Sequence, residues 1–297
     1  MLLTITTTHQ PATDLGFLLM KHPDNVHAVE LSFGTATLFY PEATEARCTA
    51  AITLDVDAVE LVRGKGSIED QYVNDRPYAA SSLLSVALGR LLNTAMGGRS
   101  KLRQKLADQA IPLEAMITPL PARGGLDLLE RMFAPLGYLV EVEAIPLDPA
   151  HPDWGNSPYV TLKLSGQVRL AALLTHLFVL IPVLDNNKHY YVGEAEVEKL
   201  LRKGEGWLET HPDRELIVRR YLRGFGGLVR KARQQLDERV EAEEPEEHAA
   251  RDSAERMEHV VALRRCTGSM RRWKRRGCGS SSALTGCCGT ARSCRGA

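Results

Sequence analysis

The chain has 297 residues, 44% of them hydrophobic, with a mean hydropathy of −0.20. It is long enough to bury a sizeable core, with two domains as the prior, and no apolar run reaches the roughly 18 residues that a membrane-spanning helix needs. Its formal charge of zero conceals two regions: all 37 acids lie at or before Glu258, where 28 Lys and Arg leave a charge of −9, and the last 39 residues hold nine Lys or Arg, no acid and five of the six cysteines.

The opening, MLLTITTTHQ, lacks a basic segment followed by a long apolar one, so it does not read as a secretory leader, and a cytoplasmic protein is expected. LLTITTT reads as a strand because Thr alternates with apolar residues, and HAVELSFGTATLFYP reads as strand with a turn at Gly34. TAAITLDVDAVELV reads as a third strand running into a helix. In DQYVNDRPYAASSLLSVAL, residues 70–88, Asp75 is placed to cap a helix with Pro77 in its first turn. Leu84, Leu88, Leu91, Leu92 and Ala95 form one face of that helix, and Gly97-Gly98 ends it.

A second block begins near Ile111, after the basic stretch GGRSKLRQKL. Leu126, Leu129, Phe133 and Leu136 mark a helix stopped by Gly137, and YLVEVEAI continues as an alternating strand. The proline-rich loop PLDPAHPDWGNSP leads to a further strand, YVTLKL. Leu170, Leu173, Leu174, Leu177, Phe178 and Ile181 make a helical stripe closed by Pro182. KHYYVG then reads as a short strand, and EAEVEKLLRKG and RELIVRRYLR as helices. The irregular mixture of helix and strand favours an α+β fold over a doubly wound sheet. The expected organisation is two mixed helix/sheet subdomains, 1–108 and 109–223, a charged linker, 224–258, and a basic Cys/Gly/Ser-rich tail, 259–297, expected to be disordered.

Familiar chemistries are absent from the sequence. No C-x-x-C pair offers a zinc site, no G-x-x-x-x-G-K-[ST] loop cradles a phosphate, and no G-x-S-x-G elbow presents a serine. His189 has Asp185 and Lys188 nearby as general-base chemistry would want, but a turn entering a strand explains LDNNKHYY better. His211 reads as part of a helix start, with Pro212 in the first turn. Residues 237–258 carry ten acids and three arginines; within them Glu244, Glu247 and His248 form an E-x-x-E-H pattern. Pro245 and the competing carboxylates argue against an ordered metal site there. The basic runs GGRSKLRQKL and RRYLRGFGGLVRKARQQ could neutralise phosphates, as in a direct RNA-binding module, but an acidic body argues against strong unspecific binding and solvated helix faces explain them better. No catalytic, cofactor or metal residue is assigned.

Three stretches taken together resemble one family: DQYVNDRPYAASSLLSVA (70–87), LIPVLDNNKHYYVGEAEVEKLL (180–201) and GEGWLETHPDRELIVRRYL (204–222). They look like the amino-terminal half of bacterial Hen-type 3′-terminal RNA ribose 2′-O-methyltransferases, and the resemblance runs from residue 1 to about 261. It implies a module that activates the RNA ligase of a polynucleotide kinase-phosphatase-ligase partner, with RNA met indirectly or weakly and no membrane. The family's carboxy-terminal half would methylate the 2′-hydroxyl with S-adenosylmethionine and a divalent metal, Mg or Mn. The resemblance makes Asn74, Asp75, Arg76 and Tyr78, together with Asp185, Lys188, His189 and Tyr190, the expected partner-binding residues. Gln71 matches as well, whereas Tyr191 stands where the family pattern has Trp. Of the family's D-x-G-C-G-x-G loop only Gly277-Cys278-Gly279 is present, without the preceding strand or a following acid. The tail is therefore expected to be a truncated or frameshifted remnant of the methyltransferase domain, and no cofactor is expected for this chain.

Overall fold

The computed structural model describes residues 1–57, 79–186, 193–222, 225–237 and 239. Strand β1 (Leu2–Thr7) buries Leu3 and Ile5 and turns Leu2 and Thr4 to the opposite, half-exposed face, as the alternation predicts. β2 (His27–Leu31), β3 (Gly34–Ala43) and β4 (Cys48–Val56) follow as an antiparallel meander. Gly34 stands at the expected turn for a steric reason: its φ is +144° and a Cβ there would lie 2.0 Å from the Asp55 carbonyl oxygen. β5 (Ile111–Pro121), β6 (Leu139–Pro146) and β7 (Asn156–Val168) complete a seven-stranded sheet of order β2-β3-β4-β1-β5-β7-β6, antiparallel throughout.

One face of this sheet is apolar. Leu3, Ile5, Ile52, Ala115, Ile117, Leu162 and Leu164 are all buried on it. The other face carries Thr pairs across strands, Thr6 with Thr49 and Thr118 with Thr161, each with hydroxyls 3.0 Å apart. The helices are α1 (Asp14–Leu19), α2 (Ser82–Leu91), α3 (Asn93–Met96), α4 (Gln104–Ala107), α5 (Leu126–Phe133), α6 (Leu170–Asp185), α7 (Glu194–Gly204) and α8 (Arg214–Tyr221), followed by a helical run at 226–237. α6 is the central one. It packs on β5 and is flanked by α2, α3, α7 and α8, and from Leu177 to Asp185 every residue is buried. A helix apolar on all sides belongs inside the molecule, and among the described residues no helix is long and apolar enough to cross a membrane.

The α+β class is as expected; several local readings differ. The cap of α2 is Ser81, extended at φ −149°, whose side chain accepts from the Leu83 N–H at 3.3 Å; Asp75 does not cap this helix, because residues 79–81 are not helical. Pro182 lies inside α6 instead of closing it. The proline removes one donor, but the Asn186 N–H still reaches the Pro182 carbonyl at 3.0 Å, and the helix ends where Asn186 turns left-handed at φ +49°. The boundary expected at 108/109 crosses one sheet, since β1 pairs with β4 on one side and β5 on the other. Residues 226–237, expected to open the linker, are helical with Val229, Ala232 and Leu236 buried. Met1–Arg239 forms one compact unit, and residues 240–297 lie outside the described residues.

Candidate functional site

Of the eight residues expected to meet a partner, the structure places one. Asp185 is the last residue of α6 and is buried. Asn74, Asp75, Arg76, Tyr78, Lys188, His189 and Tyr190 lie outside the described residues, as do the expected KHYYVG strand up to Val192, the E-x-x-E-H pattern and Gly277–Gly279. Among the described residues no group of three or more His, Cys, Asp and Glu is placed to hold a metal ion.

What the fold does build is a cleft of about 1180 Å³ that the sequence reading did not assemble. Three segments form most of its wall: the turn after α3, the first turns of α6, and the end of α7 with the turn that follows. The first contributes Arg99, held in a turn where Gly98 is left-handed at φ +66°. That turn is braced by Gln104, whose side chain accepts from the Ser100 N–H at 3.0 Å and donates to the Gly98 carbonyl at 2.8 Å. The Arg169 guanidinium lies 3.4 Å from where a Cβ on Gly98 would stand, ordinary contact distance, so it is the left-handed backbone that favours glycine here. Arg169 immediately precedes α6, which no side chain caps, and Ala171 and Ala172 of its first turn also line the cleft.

The third segment adds Arg202, Lys203 and Trp207. The Trp207 indole N–H donates to the Lys203 carbonyl at 2.9 Å, tying the turn to the end of α7. Burial, and then the neighbouring Arg202, lower the Lys203 ammonium from its usual pKa, and its charge sits 5.8 Å from the centre of the Phe178 ring. Arg169 meets Asp108 at 3.5 Å across exposed side chains. Arg99, Arg202 and Lys203 have no carboxylate partner among the described residues, and Glu205 is the one acid on the cleft wall.

Behind the cations stands an aromatic wall. The Tyr138 hydroxyl and His176 Nδ1 are 2.8 Å apart, the His176 ring meets Trp207 edge-on at 4.9 Å, and Trp207 meets His211 at 6.1 Å. Burial, with the nearby His211, pushes the His176 pKa down to about 3, so the ring is neutral. His211 is spent structurally: its Nδ1 accepts from the Asp213 N–H at 3.0 Å, which leaves Nε2–H to donate to the Met132 carbonyl at 3.1 Å. This agrees with its reading as part of a helix start. Thr175 and Thr210 donate their hydroxyls to backbone carbonyls. The cleft therefore offers cations beside a wall whose named polar groups are already paired within the protein, a chemistry suited to holding an anion.

Arg99 lies in the basic run GGRSKLRQKL, so one element of this charge was visible as composition. Arg169 and the pair Arg202-Lys203 carried no signal, because each reads as an ordinary residue at the edge of a helix. Only the packing of α3 and α7 against α6 brings them to one cleft.

Comparison with known proteins extends the picture. A family model described as "RNA repair, ligase-Pnkp-associating, region of Hen1" matches residues 1–237. Among solved structures, "Structure of Pnkp1/Rnl/Hen1 complex" is similar at a TM-score of 0.50 and 15% identity, covering 77% of this chain and 54% of that one. "Structure of the Pnkp1/Rnl/Hen1 RNA repair complex" is similar at 0.49 and 15%, with the same shares covered. The chain spans about half the length of these solved relatives. No curated protein matches it. The resemblance carried by the three quoted segments is thereby confirmed, and the chain belongs to the family of the RNA-repair, ligase–Pnkp-associating region of Hen1.

Proposed function

We propose that the chain is a non-catalytic RNA-repair module that binds the RNA ligase of a polynucleotide kinase-phosphatase-ligase partner and raises its activity. The observation that carries this reading is the family match over residues 1–237. It is supported by the coincidence of the match with the compact unit Met1–Arg239, which gives the module a single folded body. On this reading the chain acts by contact and takes no cofactor of its own. The contact residues proposed are Asn74, Asp75, Arg76 and Tyr78, with Asp185, Lys188, His189 and Tyr190.

The test is to mix the purified chain with a cognate ligase and follow adenylation and the sealing of nicked RNA. Sealing is expected to speed up when the chain is added, and Asp75→Asn and Arg76→Ala are each expected to lose most of that gain. Such charges, when buried at an interface, cost about 2–5 kcal/mol on truncation, while the melting temperature of the free chain should hardly move. Equal sealing rates with and without the chain refute ligase activation. Full activation by both variants removes the 74–78 segment from the contact.

A further inference from the structure

We infer that the cleft between α3, α6 and α7 binds a short stretch of single-stranded RNA through its phosphates. The inference rests on the proposed RNA-repair function for the identity of the polyanion; the cleft itself argues for the anion. Arg99, Arg202 and Lys203 face it without a carboxylate partner among the described residues, and Arg169 adds a fourth cation that shares only a 3.5 Å contact with Asp108. The compact unit Met1–Arg239 carries 29 acids against 26 Lys and Arg, a charge of −3, so four cations on one cleft make a local excess of positive charge that attracts an anion. The uncapped first turn of the 16-residue α6 presents its amide end beside the same cations, and that end favours negative charge.

Size decides between ligands of the same charge. At about 1180 Å³ the cleft exceeds the roughly 300–1,000 Å³ that usually holds one small molecule, so several linked phosphates fit the space better than one free ion. The cations arrive from separate segments: Arg99 after α3, Arg169 before α6, Arg202 and Lys203 at the end of α7. A flexible single strand can follow such an arrangement, contacting several phosphates in succession.

The experiment is a fluorescence-anisotropy titration of the full chain with a short labelled single-stranded RNA over a series of salt concentrations. Three neutralised phosphates on a single strand predict a slope of log affinity against log salt of about −2, at roughly 0.7 per contact. Arg99→Gln and Arg202→Gln should each weaken binding and reduce the slope by about 0.7. Arg230→Gln removes the same charge from an exposed position off the cleft and should change neither. The inference is overturned if the unsubstituted chain shows no binding, or if Arg230→Gln weakens it as much as the cleft variants. Competition by inorganic phosphate that equals unlabelled RNA at the same phosphate concentration assigns the cleft to a simple anion and overturns the RNA assignment. Weakened ligase association in the two cleft variants, with RNA binding intact, assigns the cleft to an acidic protein surface and overturns it too. Ligase association of the unsubstituted chain, measured in a separate mixture by gel filtration, tests the proposed function alone.

Discussion

His176 is 5% exposed and sits among Tyr138, Trp207 and His211, so its neutral state is part of how the core is built. In the unfolded chain its imidazole takes a proton near pH 6.5, whereas in the fold it does so only near pH 3. Between those values the unfolded state binds more protons, and stability must fall as the pH falls. The loss from one such group is at most about 1.4 kcal/mol per pH unit, absent above pH 6.5 and accumulating below it. His211, shifted in the same direction by burial, adds to the trend. Urea unfolding at pH 7, 6 and 5 should therefore show a steep decline in the unsubstituted chain. In His176→Gln, which keeps a polar group to meet the Tyr138 hydroxyl, about 2 kcal/mol of the difference between pH 6.5 and pH 5 should vanish. An unchanged pH dependence would mean that another group carries it.

At the scale of elements, the start of α2 depends on one hydroxyl. Ser81 is 3% exposed and accepts from the Leu83 N–H, which satisfies a first-turn donor with little access to water. Ser81→Ala should lower the unfolding free energy by about 1 kcal/mol, measured by urea titration, while a loss of less than a few tenths would show that the cap is dispensable. The sequence carried the apolar face of α2 but misplaced its beginning, because Asp75 with Pro77 satisfies the same capping rule six residues earlier. Propensity rules name candidates; the packing of Ala79 and Ala80 against the core, with the Ala80 N–H on the Pro119 carbonyl at 2.8 Å, selects Ser81. Strand β5 escaped for a related reason. Its alternation of Ile111, Leu113, Ala115 and Ile117 is interrupted by prolines at 112, 119 and 121, and proline argues against a central strand. Two of the three sit beyond Ile117, at or past the shift in register where the ladder with β7 is broken, so most of the strand pairs normally on both sides. The other strands and α5 to α8 were legible because each carries its own period. The candidate cleft was not, since its cations come from elements far apart in sequence and no spacing records that they meet.

For the whole molecule, the question is where the folded body ends. The expected charged linker began at 224, with its acids concentrated from 237 to 258. The structure carries the body further. Leu236 is 2% exposed, Asp237 pairs with Arg214 at 2.9 Å, and Arg239 reaches back to the Leu201 carbonyl at 3.2 Å and to Glu209 at 3.1 Å. The Glu209 side chain is only 6% exposed and its other carboxylate oxygen has no hydrogen-bond partner among the described residues, where Arg239 is the cation that keeps this buried charge tolerable. A fragment ending at 236 loses both ion pairs and leaves Glu209 buried without its arginine, whereas one ending at 239 keeps them. The exposed Arg214–Asp237 pair is worth little, so the difference should come almost wholly from Glu209. Because Arg239 is itself partly exposed, the cost is expected near 2 kcal/mol, below the 3–5 kcal/mol of a fully buried pair broken on one side. Residues 1–239 should thus unfold in urea as a stable, cooperative body, and residues 1–236 should do so at a lower midpoint. Replacing Glu209 by Gln in the shorter fragment should recover most of the loss, since the neutral amide no longer needs a cation. Equal midpoints for the two fragments would show that the body closes before Arg239 and that Glu209 finds its compensation elsewhere.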